Sequence, residues 1–457
     1  MIALLRLYRI AAFATAVALL APTARADETP TPLTLEQAQQ IALAQSPTLR
    51  AADANASAAK QVVSERRADY LPQVSADMTA VTVNDPSSEV RHNGVEQQLS
   101  SYITAGALNT STLMNRTAAG VQVKQLIADF GKTGGRMDSA SAAYRAGREH
   151  VRGVRADVLF AVTQAYFETL QAQATVRIAQ QTFDDRRLEQ ERIALLAKNK
   201  LKSELDVSFA QVAVEQSRVL LLKARNDLEA ATAQLAFAMG YRDDTPRRFA
   251  LADTGPAATP PARDMAPLVY QAVHTRPELA QQRALCDATV SAARASRADG
   301  YPTLSLLAAA GNTFSGDDRL PDKYAAIGLN LNIPLFAGGR YNAGAREAEY
   351  RADAERDRLT DLENSVVKEV RVAWLDAKAG FQALSASERL RSYAEKALEL
   401  AQSRYHLGLS SIVELNSAQL GAIDAEIKNV QARYEYKIAL ARLAWRAGAL
   451  EAPTTIR

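Results

Sequence analysis

The sequence predicts a mainly α-helical protein with a small β part, built from two tandem copies of one helix–strand–strand–helix plan. Over residues 327–333, apolar residues alternate with Gly and Asn, which is typical of a strand with one apolar face. Residues 341–405 contain no Pro and are rich in Ala, Glu, Arg and Leu, which indicates one very long helix. Pro72 recurs 230 residues later as Pro302 within a run of ordered matches, which indicates the duplication.

Each copy is expected to open with two short helices. In the first copy, Thr34 with Gln37 three residues later predicts a capping box, and Pro47 predicts the start of a second helix that extends to about Tyr70. The corresponding helices of the second copy are expected near residues 267–273 and 277–299.

Two strands follow in each copy, as alternating runs bounded by Pro or Gly. The four strands are expected near residues 73–83, 119–127, 303–314 and 324–334. The loop between the strands is long and polar in the first copy, residues 84–116, and short in the second, residues 315–323. The two copies are therefore expected to differ most in this connection.

A long helical hairpin ends each copy, and the two hairpins are expected over residues 135–240 and 338–447. The pair Gly134-Gly135 is expected to form the turn into the first hairpin, matching Gly338-Gly339 with a two-residue insertion. The hairpins are expected to bend at residues 198–202 and at residues 407–409. A helix of about 65 residues is roughly 100 Å long, so partners of similar length in a coiled-coil assembly are expected.

Four strands cannot close a barrel, because about eight is the smallest number that does so. Their apolar face has no evident soluble core to cover it, and in lipid only a closed barrel pairs every strand edge. A membrane barrel shared between copies of the chain is therefore predicted, with four strands from each copy. A four-stranded sheet packed on its own helices in a soluble protein is the alternative.

The N-terminus predicts export. Arg6 and Arg9 precede an apolar run over residues 10–20, and Ala24-Arg25-Ala26 matches a cleavage site, so residues 1–26 are expected to be a removed signal peptide. Cleavage would leave an aspartate as the new N-terminal residue, so no lipid anchor is expected there.

Composition argues against nucleic-acid binding and catalysis. Loss of the three leader arginines takes the formal net charge from +3 to 0. Cys286 is the single cysteine, so a disulfide framework is not expected. The four histidines, at positions 92, 150, 274 and 406, show no metal-ligand spacing. No enzyme activity and no cofactor are expected.

Two motifs point to a family. The first is Leu-Asn-Ile-Pro-Leu-Phe-Ala-Gly-Gly-Arg over residues 331–340. The second is Tyr-His-Leu-Gly-Leu-Ser-Ser-Ile-Val-Glu-Leu over residues 405–415, followed by Ala418-Gln419. In their order, and with the duplication, these motifs resemble the outer-membrane efflux proteins, the TolC-type channel-tunnel family, over nearly all of residues 33–448.

The resemblance implies a homotrimer in the outer membrane of a Gram-negative bacterium, with a 12-stranded barrel continued across the periplasm by a coiled-coil tunnel. It implies a passive exit duct of a tripartite efflux pump or type I secretion system. The implied partners are lipid, a periplasmic adaptor protein and, through the adaptor, an inner-membrane efflux pump or ABC transporter. A periplasmic coiled-coil adaptor or a structural protein of an envelope complex is the alternative.

This plan divides the chain into a signal peptide, two repeats, a linker and a tail. The expected bounds are 1–26 for the signal peptide, 27–241 for the first repeat, 242–265 for the Pro-rich linker, 266–448 for the second repeat and 449–457 for the C-terminal tail.

The resemblance also implies a constriction at the inner end of the tunnel. Glu414 takes the place of an acidic ring, and Ser417 stands where a second acidic residue can lie. Asp206 and Tyr405 match positions that hold closed hairpins together, and Ser410 stands where their arginine partner would be. The gate is therefore expected to depend less on ion pairs, with a hydroxyl hydrogen bond replacing the salt bridge.

The hairpin tips are implied as the docking points of the adaptor. They comprise Lys200, Leu201 and Ser203 in the first hairpin and Gly408, Leu409 and Ser411 in the second. Because Lys200 stands where the family has Gly, an altered first tip is expected.

Overall fold

The structure is a computed structural model that describes residues 33–81, 116–241, 249–253, 259–314 and 323–450. The predicted signal peptide, nearly all of both strand-to-strand loops and the tail from residue 451 lie outside the described residues. The described helices are α1 (Leu35–Gln45), α2 (Pro47–Ala68), α3 (Lys132–Lys198), α4 (Glu204–Ala238), α5 (Ala266–Thr275), α6 (Pro277–Ala298), α7 (Arg340–His406) and α8 (Ile412–Arg446). The described strands are β1 (Gln73–Val81), β2 (Arg116–Ala128), β3 (Thr303–Phe314) and β4 (Lys323–Asn332).

The two halves hold the same elements in the same order. Helices α3 and α7 each have 67 residues, and helices α4 and α8 each have 35. The predicted capping box at the start of α1 is present, since the Thr34 hydroxyl accepts from the Gln37 backbone and the Gln37 side chain accepts from the Thr34 backbone. One offset of 208 residues relates both hairpins along their whole length, so no insertion separates them.

The turn into the first hairpin is not Gly134-Gly135, and this prediction is wrong. The left-handed residues there are Phe130 and Gly131, which correspond to Gly338 and Gly339 in the second half. Helix α3 therefore begins at Lys132, and both predicted turn glycines lie inside it.

Packing accounts for the glycine at the second of those positions. A Cβ atom at Gly135 would lie 3.0 Å from the Cβ and backbone nitrogen of Ala295 on α6, so the absence of a side chain lets α3 and α6 approach closely. The N-terminus of α3 is capped instead by Asp129, whose carboxylate accepts the backbone N–H of Gly131 at 3.3 Å and of Thr133 at 2.7 Å.

The four strands form one antiparallel sheet in the order β1-β2-β3-β4. Strand β2 is longer than predicted, and β4 ends at Asn332, two residues before the predicted end. Pro334 has no backbone N–H to donate to a ladder, which explains the early end. Within the described residues, β1 pairs only with β2 and β4 only with β3, so each outer strand has one unpaired edge.

One face of the sheet is apolar and exposed. Ile327, Leu329 and Leu331 of β4 are 77%, 65% and 56% exposed, and Val74 and Met78 of β1 are 66% and 76% exposed. The intervening residues on the other face are small or polar, which confirms the predicted alternation. Among the helices of the described ranges, none combines the length and hydropathy needed to cross a membrane.

A short segment of the expected linker, residues 249–253 and here called the strap, packs against the first half. Leu33 pairs with Leu251 as a parallel bridge, and the buried Tyr166 hydroxyl of α3 donates to the carbonyl oxygens of Leu33, at 2.8 Å, and Ala252, at 2.6 Å. Burial raises the pKa of Tyr166 to about 12. The strap therefore packs on α3, one of the long helices that carry the hairpin tips.

The carboxylate of Asp253 fixes the strap to α8. It lies 2.6 Å from the Lys437 ammonium and accepts from the Tyr434 hydroxyl at 3.1 Å. Burial by itself would raise the pKa of Asp253, but the hydrogen bond and charge of Lys437 outweigh it and hold the pKa below its ordinary value. The carboxylate is therefore ionised at neutral pH.

Candidate functional site

The two hairpin turns have the same backbone geometry. Lys200 and Gly408 both adopt left-handed φ angles, +63° and +74°. The N–H of Leu201 donates to the Leu196 carbonyl at 2.9 Å, and the N–H of Leu409 donates to the Arg404 carbonyl at 2.8 Å, as in a Schellman motif. Lysine in place of glycine therefore leaves the backbone path of the first tip unchanged and places a non-glycine residue in a strained conformation.

The helices that leave the two turns are capped in different ways. In the first, the Ser203 hydroxyl accepts the Asp206 N–H at 3.1 Å, and the Asp206 carboxylate accepts from the Ser203 backbone and hydroxyl at 3.1 and 2.8 Å. In the second, the Ser411 hydroxyl accepts the Glu414 N–H at 3.3 Å, but the Glu414 carboxylate pairs with Arg404 instead. Asp206 thus acts as a helix cap of α4, a contact that Ser203 followed by Asp206 could have revealed in the sequence.

Tyr405 lies in an apolar cluster beside the two hairpin turns. The other members of the cluster are Ile193, Ala210, Ile412 and Leu415. The Lys202 ammonium of the first turn lies 3.8 Å from the centre of the Tyr405 ring, within the range of a cation–π interaction. The Tyr405 side chain therefore joins α7 to the turn between α3 and α4.

The expected hydroxyl hydrogen bond at Ser410 is not formed within the described chain. The Ser410 Oγ and the Tyr405 Oη atoms are both buried, and neither has a hydrogen-bond partner there. Asp206 is engaged with Ser203 instead. The contact that takes the place of the expected bond is the Lys202–Tyr405 pair, which sequence reasoning missed.

The Glu414 carboxylate forms an ion pair with Arg404, whose Nε atom lies 3.1 Å from Oε1. Both side chains are about half exposed, so the pair contributes at most about 1 kcal/mol. Arg404 lies on α7 and Glu414 on α8, so the pair connects the two arms of one hairpin. Ser417 lies three residues further along α8 and is exposed.

Arg186 of α3 connects the first hairpin to the second. Nothing in the sequence indicates this contact. Its side chain is buried, and its Nη1 atom donates to the Asn416 amide oxygen of α8 at 3.2 Å and to the Gln419 amide oxygen of α8. Burial lowers the pKa of the guanidinium, and Glu189 and Asp185 partly offset this, yet an arginine stays charged in proteins. A buried cation on α3 thus binds α8 at positions close to Glu414.

All six tip residues of the prediction are exposed, and apolar side chains dominate the surface there. Leu201, Leu407 and Leu409 are 69%, 73% and 66% exposed, and Leu205 and Val413 at the helix starts are 64% and 54% exposed. Exposed apolar clusters of this kind mark surfaces that contact other proteins. No group of three or more metal-ligating side chains occurs in the part of the chain that the structure describes.

Comparison with known proteins shows which family and which relatives this chain is similar to. The family model described as outer membrane efflux protein matches residues 38–241 and 268–449. The outer membrane protein TolC of Salmonella enteritidis is 24% identical over 437 residues, which is 91% of this chain and 82% of that protein. The protein CyaE of Bordetella pertussis is 27% identical over 408 residues, which is 87% of this chain and 80% of that protein.

Solved structures agree with the fold. The crystal structure of a membrane protein from Pseudomonas aeruginosa superposes with a TM-score of 0.76 at 23% identity, covering 91% of this chain and 93% of that one. Together with the observed helices and single four-stranded sheet, this similarity confirms the predicted fold class.

Proposed function

The chain belongs to the outer membrane efflux protein family, and from this membership we propose how its trimer forms, closes and docks. It is an outer-membrane channel that extends into the periplasm, the exit duct of a tripartite efflux pump or type I secretion system. Its partners are further copies of itself, a periplasmic adaptor and, through the adaptor, an inner-membrane transporter. The duct acts on its cargo by conduction, without chemistry.

The observation that carries this function is the incompleteness of the sheet in one chain. Within the described residues, the outer strands of the sheet each leave an edge unpaired, and its apolar face is exposed. Three copies would give twelve strands, pair every edge and turn the apolar faces to lipid. The rival functions, a soluble adaptor or a coiled-coil stalk, leave both the edges and the apolar face without a role.

The helices offer matching surfaces for the same assembly. On α4, Leu205, Val212 and Val219 recur every seven residues and are 64%, 53% and 66% exposed. On α7, Tyr393 and Leu400 are also seven residues apart, and each is 66% exposed. A seven-residue spacing is the seam of a coiled coil, and we propose that α4 of one copy packs on α7 of the next.

Three measurements test the duct. The mature protein is expected to fractionate with the outer membrane, to migrate as a heat-sensitive trimer in SDS gels, and to conduct ions in planar bilayers. A stable water-soluble monomer, or a trimer that never conducts, would contradict the function. A trimer that forms without entering membranes would favour the stalk.

The inner end of the duct is proposed to close around Glu414. Three such carboxylates around a narrow axis favour cations over anions. Glu414→Gln is expected to reduce the cation preference of single channels. Asp424→Asn is the matched control, because Asp424 is a similarly exposed acid of α8 with its own ion pair to Lys428. Equal cation selectivity in wild type and Glu414→Gln would remove the ring from the proposal.

Asp206, Tyr405, Ser410 and Ser417 complete the proposed gate. Asp206 keeps the first turn in shape through its cap, and Tyr405 joins the hairpins through Lys202. Ser417 leaves the axis without a second acidic ring. In this proposal, closure depends on packing, capping and cation–π contact more than on salt bridges between hairpins.

The exposed tips are proposed to dock the adaptor. Leu409→Asp is expected to abolish export in cells while trimer formation and bilayer conductance remain normal, because an apolar contact is lost at the tip alone. Leu188→Asp is the control, since Leu188 of α3 is 67% exposed and lies away from the turns. If both variants export as well as the wild type, the tips do not dock the adaptor.

A further inference from the structure

One row of paired residues crosses the whole sheet. Asp77 pairs with Gly120, Gly120 with Gly311, and Gly311 with Tyr324, so each strand contributes one member. Directly paired residues of antiparallel strands project from the same face. The row therefore contains a single large side chain, Tyr324, beside two positions that have none.

The Tyr324 hydroxyl lies over both glycines. A Cβ atom at Gly120 would overlap the Tyr324 Oη atom, and a Cβ atom at Gly311 would lie 2.6 Å from it. The side chain thus reaches from β4 across β3 to β2 and lies flat on the sheet. At Gly311 the backbone of β2 also stands in the way, whereas at Gly120 the first atom met is the Tyr324 hydroxyl, followed by the Ala310 carbonyl at 3.1 Å.

This row lies on the face opposite the exposed apolar side chains. Tyr324 precedes Ile327 by an odd number of residues, so the two side chains project from opposite faces of β4. In a membrane barrel, the apolar face meets lipid and the other face lines the lumen. Tyr324 therefore lies against the inner wall of the barrel, once in each copy.

We propose that Tyr324 sets the free bore of the barrel lumen, and that Gly120 keeps this bore wide by giving the phenol a place against the wall. A side chain at Gly120 lifts the ring off the wall, and three rings displaced together narrow the passage for bulky solutes. Tyr324 is thus a size-selecting residue of the channel. The inference rests on the outer-membrane channel function proposed above.

A matched pair of substitutions tests the inference. Gly120→Val places a side chain under the Tyr324 hydroxyl. Gly328→Val adds the same β-branched group to the same face of β4, where a Cβ atom meets nothing within 4 Å. Valine favours strands at both positions, so a difference between the two variants reports the contact with Tyr324.

The readout is access from outside to a thiol deeper in the lumen. Lys124→Cys, in a Cys286→Ser background, places that thiol on the lumen face of β2, about 13 Å nearer the helices than Gly120. A small and a bulky maleimide are added separately to intact cells. Gly120→Val is expected to slow the bulky reagent several-fold and leave the small one unchanged, and Gly328→Val is expected to change neither.

Removing the ring reverses the effect. Tyr324→Ala combined with Gly120→Val is expected to restore the rate of the bulky reagent, and Tyr324→Ala alone, which needs no extra space, is expected to raise it above wild type. Equal rates in Gly120→Val and Gly328→Val, or no rise with Tyr324→Ala, would overturn the inference. A thiol that neither reagent reaches in a properly formed trimer would count against the channel function itself.

Discussion

Arg186 makes a contact whose loss has a calculable effect on gating. Any opening that moves α8 away from α3 must break the hydrogen bonds from the Arg186 guanidinium to Asn416 and Gln419. The substitution Arg186→Met keeps a long side chain in the buried position and removes every donor. The substitution therefore removes the hydrogen bonds between the two hairpins and leaves the apolar packing nearly intact.

The magnitude follows from the chemistry of the bond. A hydrogen bond to a charged group contributes about 1.5–3 kcal/mol net of its exchange with water. Two bonds from one guanidinium nitrogen are not additive, so a loss of about 2–3 kcal/mol per protomer is expected. At 1.36 kcal/mol for each factor of ten, the equilibrium constant between the closed and the open state shifts roughly 30- to 150-fold toward the open state for each protomer.

Planar-bilayer recording measures the open probability directly. Arg187→Met is the matched control, because Arg187 is the next residue on α3, is 61% exposed and pairs weakly with Glu191 at 3.7 Å. Arg186→Lys is expected to lie between wild type and Arg186→Met, since a lysine retains the charge but not the planar fork. If channels with Arg186→Met and channels with Arg187→Met have equal open probabilities, the hydrogen bonds of Arg186 do not stabilise the closed state.

Three further predictions concern the first turn, the strap and the trimer. Lys200→Gly is expected to stabilise the fold by about 1 kcal/mol, with a raised melting temperature in circular dichroism, and Gly408→Lys is expected to lower it. Because the folded pKa of Asp253 is depressed, its stabilising pair with Lys437 is present above the ordinary carboxyl pKa and is lost as the pH falls through the lower folded value. Asp253→Asn is thus expected to lower the melting temperature at pH 7 and to flatten its fall below about pH 4. Val212→Glu is expected to convert SDS-resistant trimer to monomer, because the charge would enter the seam between copies, and an unchanged trimer would refute that seam.

Local patterns were sufficient for most of the elements. The capping box at Thr34, the alternation along β4 and the long helix that α7 forms depend on residues a few positions apart, and the structure confirms each. The prediction of a turn at Gly134-Gly135 is wrong because the role of these glycines depends on a contact outside the local sequence. Glycine signals either a left-handed turn or a close helix approach, and only the position of α6 shows that Gly135 serves the second.

The amino-acid sequence was sufficient to predict the duplication, the two hairpins and a sheet too small to close alone. Periodicity lies in neighbouring residues, and a repeat is visible when two stretches of the chain are compared. The packed fold was needed to show that Arg186 binds α8, that the Lys202 ammonium contacts the Tyr405 ring and that the Tyr324 hydroxyl lies over Gly120. These contacts join residues far apart in the chain, and their existence depends on the rotation of each helix and the register of each strand. A change of one residue in strand register would turn Tyr324 to the other face.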